Sequence, residues 1–137
     1  MMIWLVDRLL GFAAAVLVTA LVVVLVIRAR HRRLARQRAG EGWDGFARYF
    51  AGRSVPADVA ETAYRKLQAW TGEPAFPVRP ADEVTLYGLG FEHFDEFLDD
   101  LVRSTGRRAS ERIIAAATVR VRTVEDIVLF VASCPAA

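Results

Sequence analysis

Residues 9–27 read LLGFAAAVLVTALVVVLVI. These nineteen residues carry no charge, and only Gly11 and Thr19 are not strongly apolar. At 1.5 Å per residue a helix of this length covers roughly 28 Å, close to the hydrocarbon thickness of a bilayer. In lipid such a helix satisfies its own backbone, and the Thr19 hydroxyl can bond back along it. A helix apolar all round has nowhere to hide in the 99 residues that follow position 38. Val18-Thr19-Ala20 resembles a small-residue cleavage site, but the apolar run continues seven residues past it and ends in arginines. Secretory apolar cores are shorter, roughly 7–15 residues. The stretch therefore predicts a membrane-spanning helix.

The flanks predict its orientation. Before the span stand Asp7 and Arg8; after it come Arg28, Arg30, Arg32, Arg33, Arg36 and Arg38, with His31 among them. Short basic flanks stay on the cytoplasmic side, so the N-terminus is expected outside and residues 28–137 inside. The six arginines are expected to mark the membrane surface and touch lipid headgroups. Leu34 and Ala35 among them suggest that the helix runs past the bilayer to about Gln37. Seventeen Arg against the single Lys66 reads as genome composition, that of a GC-rich bacterium, and the expected location is its inner membrane.

The whole chain has 137 residues and a formal charge of +2, but that average hides two objects. Residues 39–137 hold 11 basic and 15 acidic groups, net −4, so no basic face continues into them and nucleic acid is not an expected partner. Their 48 apolar residues suit one small globular domain. A lone Cys134 excludes a disulfide-stapled framework, and one Cys with two His cannot make a Cys/His zinc site. Neither a Ser/His/Asp or Cys/His arrangement nor a Gly-rich phosphate loop is present. The expectation is a non-enzyme with no catalytic residue, cofactor, metal or identified small-molecule substrate.

Three segments follow: the anchor with its arginine-rich flank over 1–38, a linker with a short amphipathic helix over 39–56, and a helical domain over 57–137. Ala39-Gly40-Glu41-Gly42 reads as a hinge. Trp43, Phe46, Tyr49 and Phe50 recur at helical spacing, a face suited to the domain or the membrane interface. Pro56 opens a helix whose stripe is Val59, Ala63, Leu67 and Trp70. Gly72, Pro74, Pro77 and Pro80 make a loop plugged by Phe76 and Val78. A further helix is expected over Phe91–Val102, with Phe91, Phe94, Phe97, Leu98 and Leu101 inward and Glu92, Asp95, Glu96, Asp99 and Asp100 outward. Ala109–Ala116 should form a short helix with Ile113 and Ile114 inward, and Val119–Arg122 an extended piece. Thr123, with Asp126 three residues on, should cap a last helix bearing Ile127, Val128, Phe130 and Val131. The fold class is all-α.

This order resembles the acyl carrier protein fold over about residues 57–132. The matching pieces are Phe76–Asp82, the turn Tyr87-Gly88-Leu89-Gly90, the acidic helix, and Thr123-Val124-Glu125-Asp126-Ile127. It also resembles small carrier-like bacterial families of unknown function. Carriers attach phosphopantetheine to a Ser at the start of the acidic helix, where this chain has Leu89-Gly90-Phe91. Gly90 offers no oxygen, so the resemblance implies the scaffold and its acidic docking helix without the prosthetic group. The acidic face is then either plain solvated surface, the commoner outcome for such a face, or a docking surface for a basic-surfaced protein partner. The other reading is an accessory subunit of, or a genuine carrier in, a lipid or acyl-transfer pathway.

Overall fold

An unbroken apolar run followed by Arg, Ala and Leu contains nothing that stops a helix, and none stops. The structure, a computed structural model describing residues 1–89 and 92–137, opens with α1 over Met2–Gln37. Its 36 residues reach about 54 Å at 1.5 Å per residue. The N-terminal part is long and apolar enough to cross a membrane, and none of it packs against the rest of the chain. Leu17 is 71% exposed and Val26 62%. Thr19 donates its hydroxyl to the Ala15 carbonyl at 2.8 Å, so the one polar side chain within the run is satisfied inside the helix.

Five further helices follow: α2 Trp43–Ala51, α3 Ala57–Thr71, α4 Phe94–Ser104, α5 Glu111–Arg120 and α6 Val124–Ser133, with a 3-10 turn over Val84–Tyr87. Among the described residues the only β pairing is two isolated bridges, Glu83 with Thr123 and Arg107 with Ala136. The chain is all-α there, as the periodicities predict.

The core gathers one stripe from each helix of the domain. Phe46 and Phe50 of α2 meet Tyr64 of α3, with ring centroids 4.9 Å apart for Phe46 and Tyr64. Trp43 joins edge-on to Tyr64 at 5.5 Å, so the short amphipathic helix packs on the domain. Val59, Ala63 and Leu67 are buried as the α3 stripe predicts, while Trp70 is half-exposed and rests edge-on against Phe97 at 5.9 Å. Gly72, at φ 70, closes α3 in the left-handed conformation that favours glycine. Phe76 and Val78 plug the loop as expected.

Three expectations shift. α4 begins at Phe94 and ends at Ser104, while Phe91 lies outside the described residues. α5 continues to Arg120, because Ala115–Ala117 favour helix and no breaker intervenes. Val119 is therefore helical, and only Val121 and Arg122 are extended. Ile113 points outward at 51% exposure, leaving Ile114 and Ala117 as the buried contacts of α5.

α6 starts from a full capping box. The Thr123 hydroxyl accepts from the Asp126 N–H at 3.2 Å, and the Asp126 carboxylate accepts from the Thr123 and Arg122 N–H groups, each at 3.0 Å. Burial pushes the Asp126 carboxyl up, but these donors outweigh it and hold it below the ordinary value. Its contribution to stability is therefore full above the ordinary carboxyl pKa and fades as pH falls through the lowered one. Thr123→Ala should cost about 1 kcal/mol in urea unfolding at neutral pH. Asp126→Asn should remove the part of the acid destabilisation that comes from this carboxylate. An unchanged acid limb in Asp126→Asn would show that the box is not charge-dependent.

Candidate functional site

Two features carry chemistry, and the first was not anticipated as a site. Past the apolar run, α1 turns a stripe toward the domain: His31, Leu34, Ala35 and Arg38, at i, i+3, i+4 and i+7. Leu34 and Ala35 lie against the core. His31 is 5% exposed; its Nε2 donates to the Leu86 carbonyl at 2.9 Å, and its ring meets Phe76 edge-on at 5.6 Å. Its Nδ1 is buried with no hydrogen-bond partner among the described residues.

Arg38 is expected at the membrane surface and is instead buried in the domain, 7% exposed. It donates from Nη1 to Asp82 Oδ2 at 2.8 Å and from Nη2 to Asp82 Oδ1 at 2.6 Å, with a third bond to the Pro77 carbonyl at 2.9 Å. A planar guanidinium suits this two-pronged grip. Asp82 also accepts from the Tyr87 hydroxyl at 2.6 Å and from the Arg79 N–H at 2.9 Å. Burial, then the Asp82 carboxylate, keeps the Tyr87 hydroxyl protonated far above the ordinary tyrosine range. The arrangement is a structural ion pair whose carboxylate oxygens are both hydrogen-bonded.

The Ala39–Gly42 stretch is correspondingly not a free hinge. Gly40, at φ 92, lets the chain reverse. Glu41 then pairs with Arg79, whose Nε lies 2.7 Å from its Oε2. That hydrogen bond holds the Glu41 carboxyl below its ordinary value. Arg32 also reaches the domain, at 3.1 Å from Glu73. Arg28, Arg30, Arg33 and Arg36 stay exposed on α1.

The second feature is the acidic face of α4. Glu92 stands in the turn before the helix and the other four on α4 itself; all lie on the surface side, but they are not alike. Asp100 pairs with Lys66 of α3 at 2.6 Å, and Asp99 pairs with Arg103 one turn on. Asp95 accepts only from the Glu96 N–H, at 2.9 Å. Glu96 stands 3.6 Å from His93 Nδ1 and is 78% exposed; Glu92 is exposed as well. The unneutralised charge thus concentrates at the N-terminal end of the face. Gly90, at the place of the carrier Ser, lies outside the described residues, as does Phe91; the preceding Leu89 is buried.

Cys134 is buried, and burial raises its thiol pKa. Its Sγ donates to the Phe130 carbonyl at 3.4 Å, a filler of the core edge. Among the described residues no three His, Cys, Asp or Glu side chains come together as a metal site. No family model, no curated protein and no solved structure matches the chain.

Proposed function

We propose that this chain is a single-pass, membrane-anchored, non-catalytic interaction module of the bacterial inner membrane, with its helical domain on the cytoplasmic side. The observation that carries this reading is the continuity of α1. One helix holds the exposed apolar run and, about one turn beyond Ile27, the residues that dock the domain. A domain gripped at His31 and Arg38 is held close to the bilayer surface, which suits a module that presents a face to other membrane-associated proteins. The arginine excess after the span supports the cytoplasmic orientation.

The presented face is that of α4 and the turn before it, with Glu92, Asp95 and Glu96 as its least neutralised part. It acts on a basic partner surface, where charge complementarity speeds encounter and weakens with salt. A degenerate carrier-like scaffold, keeping the docking helix without the modified Ser, accounts for the order of loop, turn and acidic helix.

A phosphatase fused to the C-terminus should be inactive, and the protein should resist carbonate extraction; activity outside the membrane would reverse the orientation. Cross-linking from native membranes should capture a partner with the wild-type chain, and less of it when Glu92, Asp95 and Glu96 are replaced by glutamine. Equal capture at low salt would remove the acidic face from the function.

A further inference from the structure

The joint between α1 and the domain buries a titratable ring that the docking of α4 does not use. His31 is 5% exposed, one turn beyond the end of the apolar run. The Leu86 carbonyl can only accept, so Nε2 holds the proton of their 2.9 Å bond. Nδ1 is then the bare nitrogen of a neutral ring, buried with no hydrogen-bond partner among the described residues. A second proton there would make a buried N–H with no acceptor, and a buried charge with it.

The charges around the ring oppose that proton as well. Arg28, Arg30, Arg32 and Arg33 surround His31 in sequence. Across the joint, Phe76 meets the His31 ring edge-on and has the Arg38 guanidinium 5.6 Å from its own centroid, so a cation already stands against the ring that His31 touches. The carboxylates of the facing segments are engaged elsewhere. Asp82 is held by Arg38, Tyr87 and the Arg79 N–H, and Glu73 by Arg32. Glu83, at the head of the 3-10 turn, is exposed. Among the described residues no carboxylate pairs with the His31 ring.

We propose that His31 is a proton-operated catch: the docked joint holds the ring neutral, and its protonation releases the domain from α1. His31, Leu34, Ala35 and Arg38 lie on one face of an unbroken helix, so they leave the domain together. Once released, the ring is in water, which satisfies both nitrogens and solvates the charge. The released state therefore binds one more proton than the docked state. The joint is at full strength above the ordinary histidine value, about 6.5, and weakens as pH falls below it. Between about pH 7.5 and about pH 5.5 the released fraction should rise about tenfold. The domain itself stays folded in that range. Its Asp126 carboxylate, held below the ordinary carboxyl value, remains ionised in the capping box of α6.

The test uses the full-length chain in detergent and a protease active at both pH values, its rate at each normalised on an unfolded reference peptide. Wild type should be cut within residues 38–42 about tenfold faster at the lower pH, with the near-ultraviolet circular dichroism of the domain unchanged. His93→Gln, which removes the other histidine, should keep that rise. His31→Gln keeps an N–H for the Leu86 carbonyl but cannot take the proton, so it should be cut equally at both pH values. No rise in wild type, a rise that persists in His31→Gln, or a rise lost in His93→Gln each overturns the catch. Loss of the circular dichroism signal along with the cutting means that the whole fold opens, and overturns it too. If His31→Gln is already cut freely at the higher pH, the His93→Gln chain decides through the NMR signal of its single imidazole. Cutting that rises as that ring takes its proton supports the catch, and cutting that rises while the ring stays neutral overturns it.

Discussion

Asp82→Ala should be the most damaging single substitution in this protein, lowering stability by about 3–5 kcal/mol. It leaves the Arg38 guanidinium buried with only the Pro77 carbonyl as acceptor, and strands the Tyr87 hydroxyl and the Arg79 N–H. The loss belongs to the uncompensated charge and not to the worth of the pair, because two charges taken out of water together return little net energy. Two consequences separate that explanation from simple cavity formation. Arg38→Met combined with Asp82→Leu should recover much of the loss, and adding Tyr87→Phe should recover more. Asp82→Ala should also free α1 from the domain, so the 38–42 stretch should become sensitive to protease in the folded full-length chain. Thermal unfolding in detergent together with limited proteolysis decides it. A stability within about 1 kcal/mol of wild type for Asp82→Ala would mean that water reaches Arg38 in solution and the joint is looser than its geometry.

Phe97→Ala is the second large effect, at about 3–5 kcal/mol. Phe97 is 4% exposed, sits between α3 and α4 and holds Trp70 edge-on. Its removal deletes transfer energy and leaves a hole that the neighbouring rigid helices cannot collapse to fill. Phe97 is not among the hydrogen-bond partners of the Asp82 carboxylate, so the two losses should add. Phe94, 6% exposed at the start of the same helix, should cost less, because a helix end relaxes more readily. Denaturant titration of both variants checks the order. Near-wild-type stability for Phe97→Ala would mean that the buried face of α4 is assigned wrongly.

The helical class and most of the core were legible in the residues, because amphipathic spacing is a local signal. Val59, Ala63 and Leu67 of α3, Phe97, Leu98 and Leu101 of α4, and the Thr123–Asp126 box all announce themselves within a few positions. Ile113 misled because adjacent helical positions can both be buried, as Phe97 and Leu98 are, and spacing alone does not say that α5 buries only the Ile114 side. Val119–Arg122 misled because alternation over four residues is also what two helical positions followed by an extended exit produce. The joint between α1 and the domain stayed hidden for a different reason. Arg38 and Asp82 are 44 residues apart, and six arginines in one flank look alike until one finds a carboxylate. The available clue was the i, i+3, i+4, i+7 stripe of His31, Leu34, Ala35 and Arg38, which made the helix amphipathic where the apolar run had already ended. The acidic face was legible as a set. Which of its members are neutralised was not, since Lys66 comes from another helix.

The unbroken passage of α1 from its apolar run into the His31 and Arg38 grip has a kinetic consequence. A domain on a slack tether samples a hemisphere of positions and orientations, and most collisions present the wrong surface. On the proposed membrane-spanning reading of α1, a domain fused to it can only drift in the plane and spin about the normal. Vertical displacement and tumbling, which two free proteins must give up on binding, are surrendered once, at insertion. If the acidic face at α4 docks a partner as proposed, it then needs far less intrinsic attraction to find its match, and loosening the grip at Asp82 should slow encounter without altering a single residue of that face.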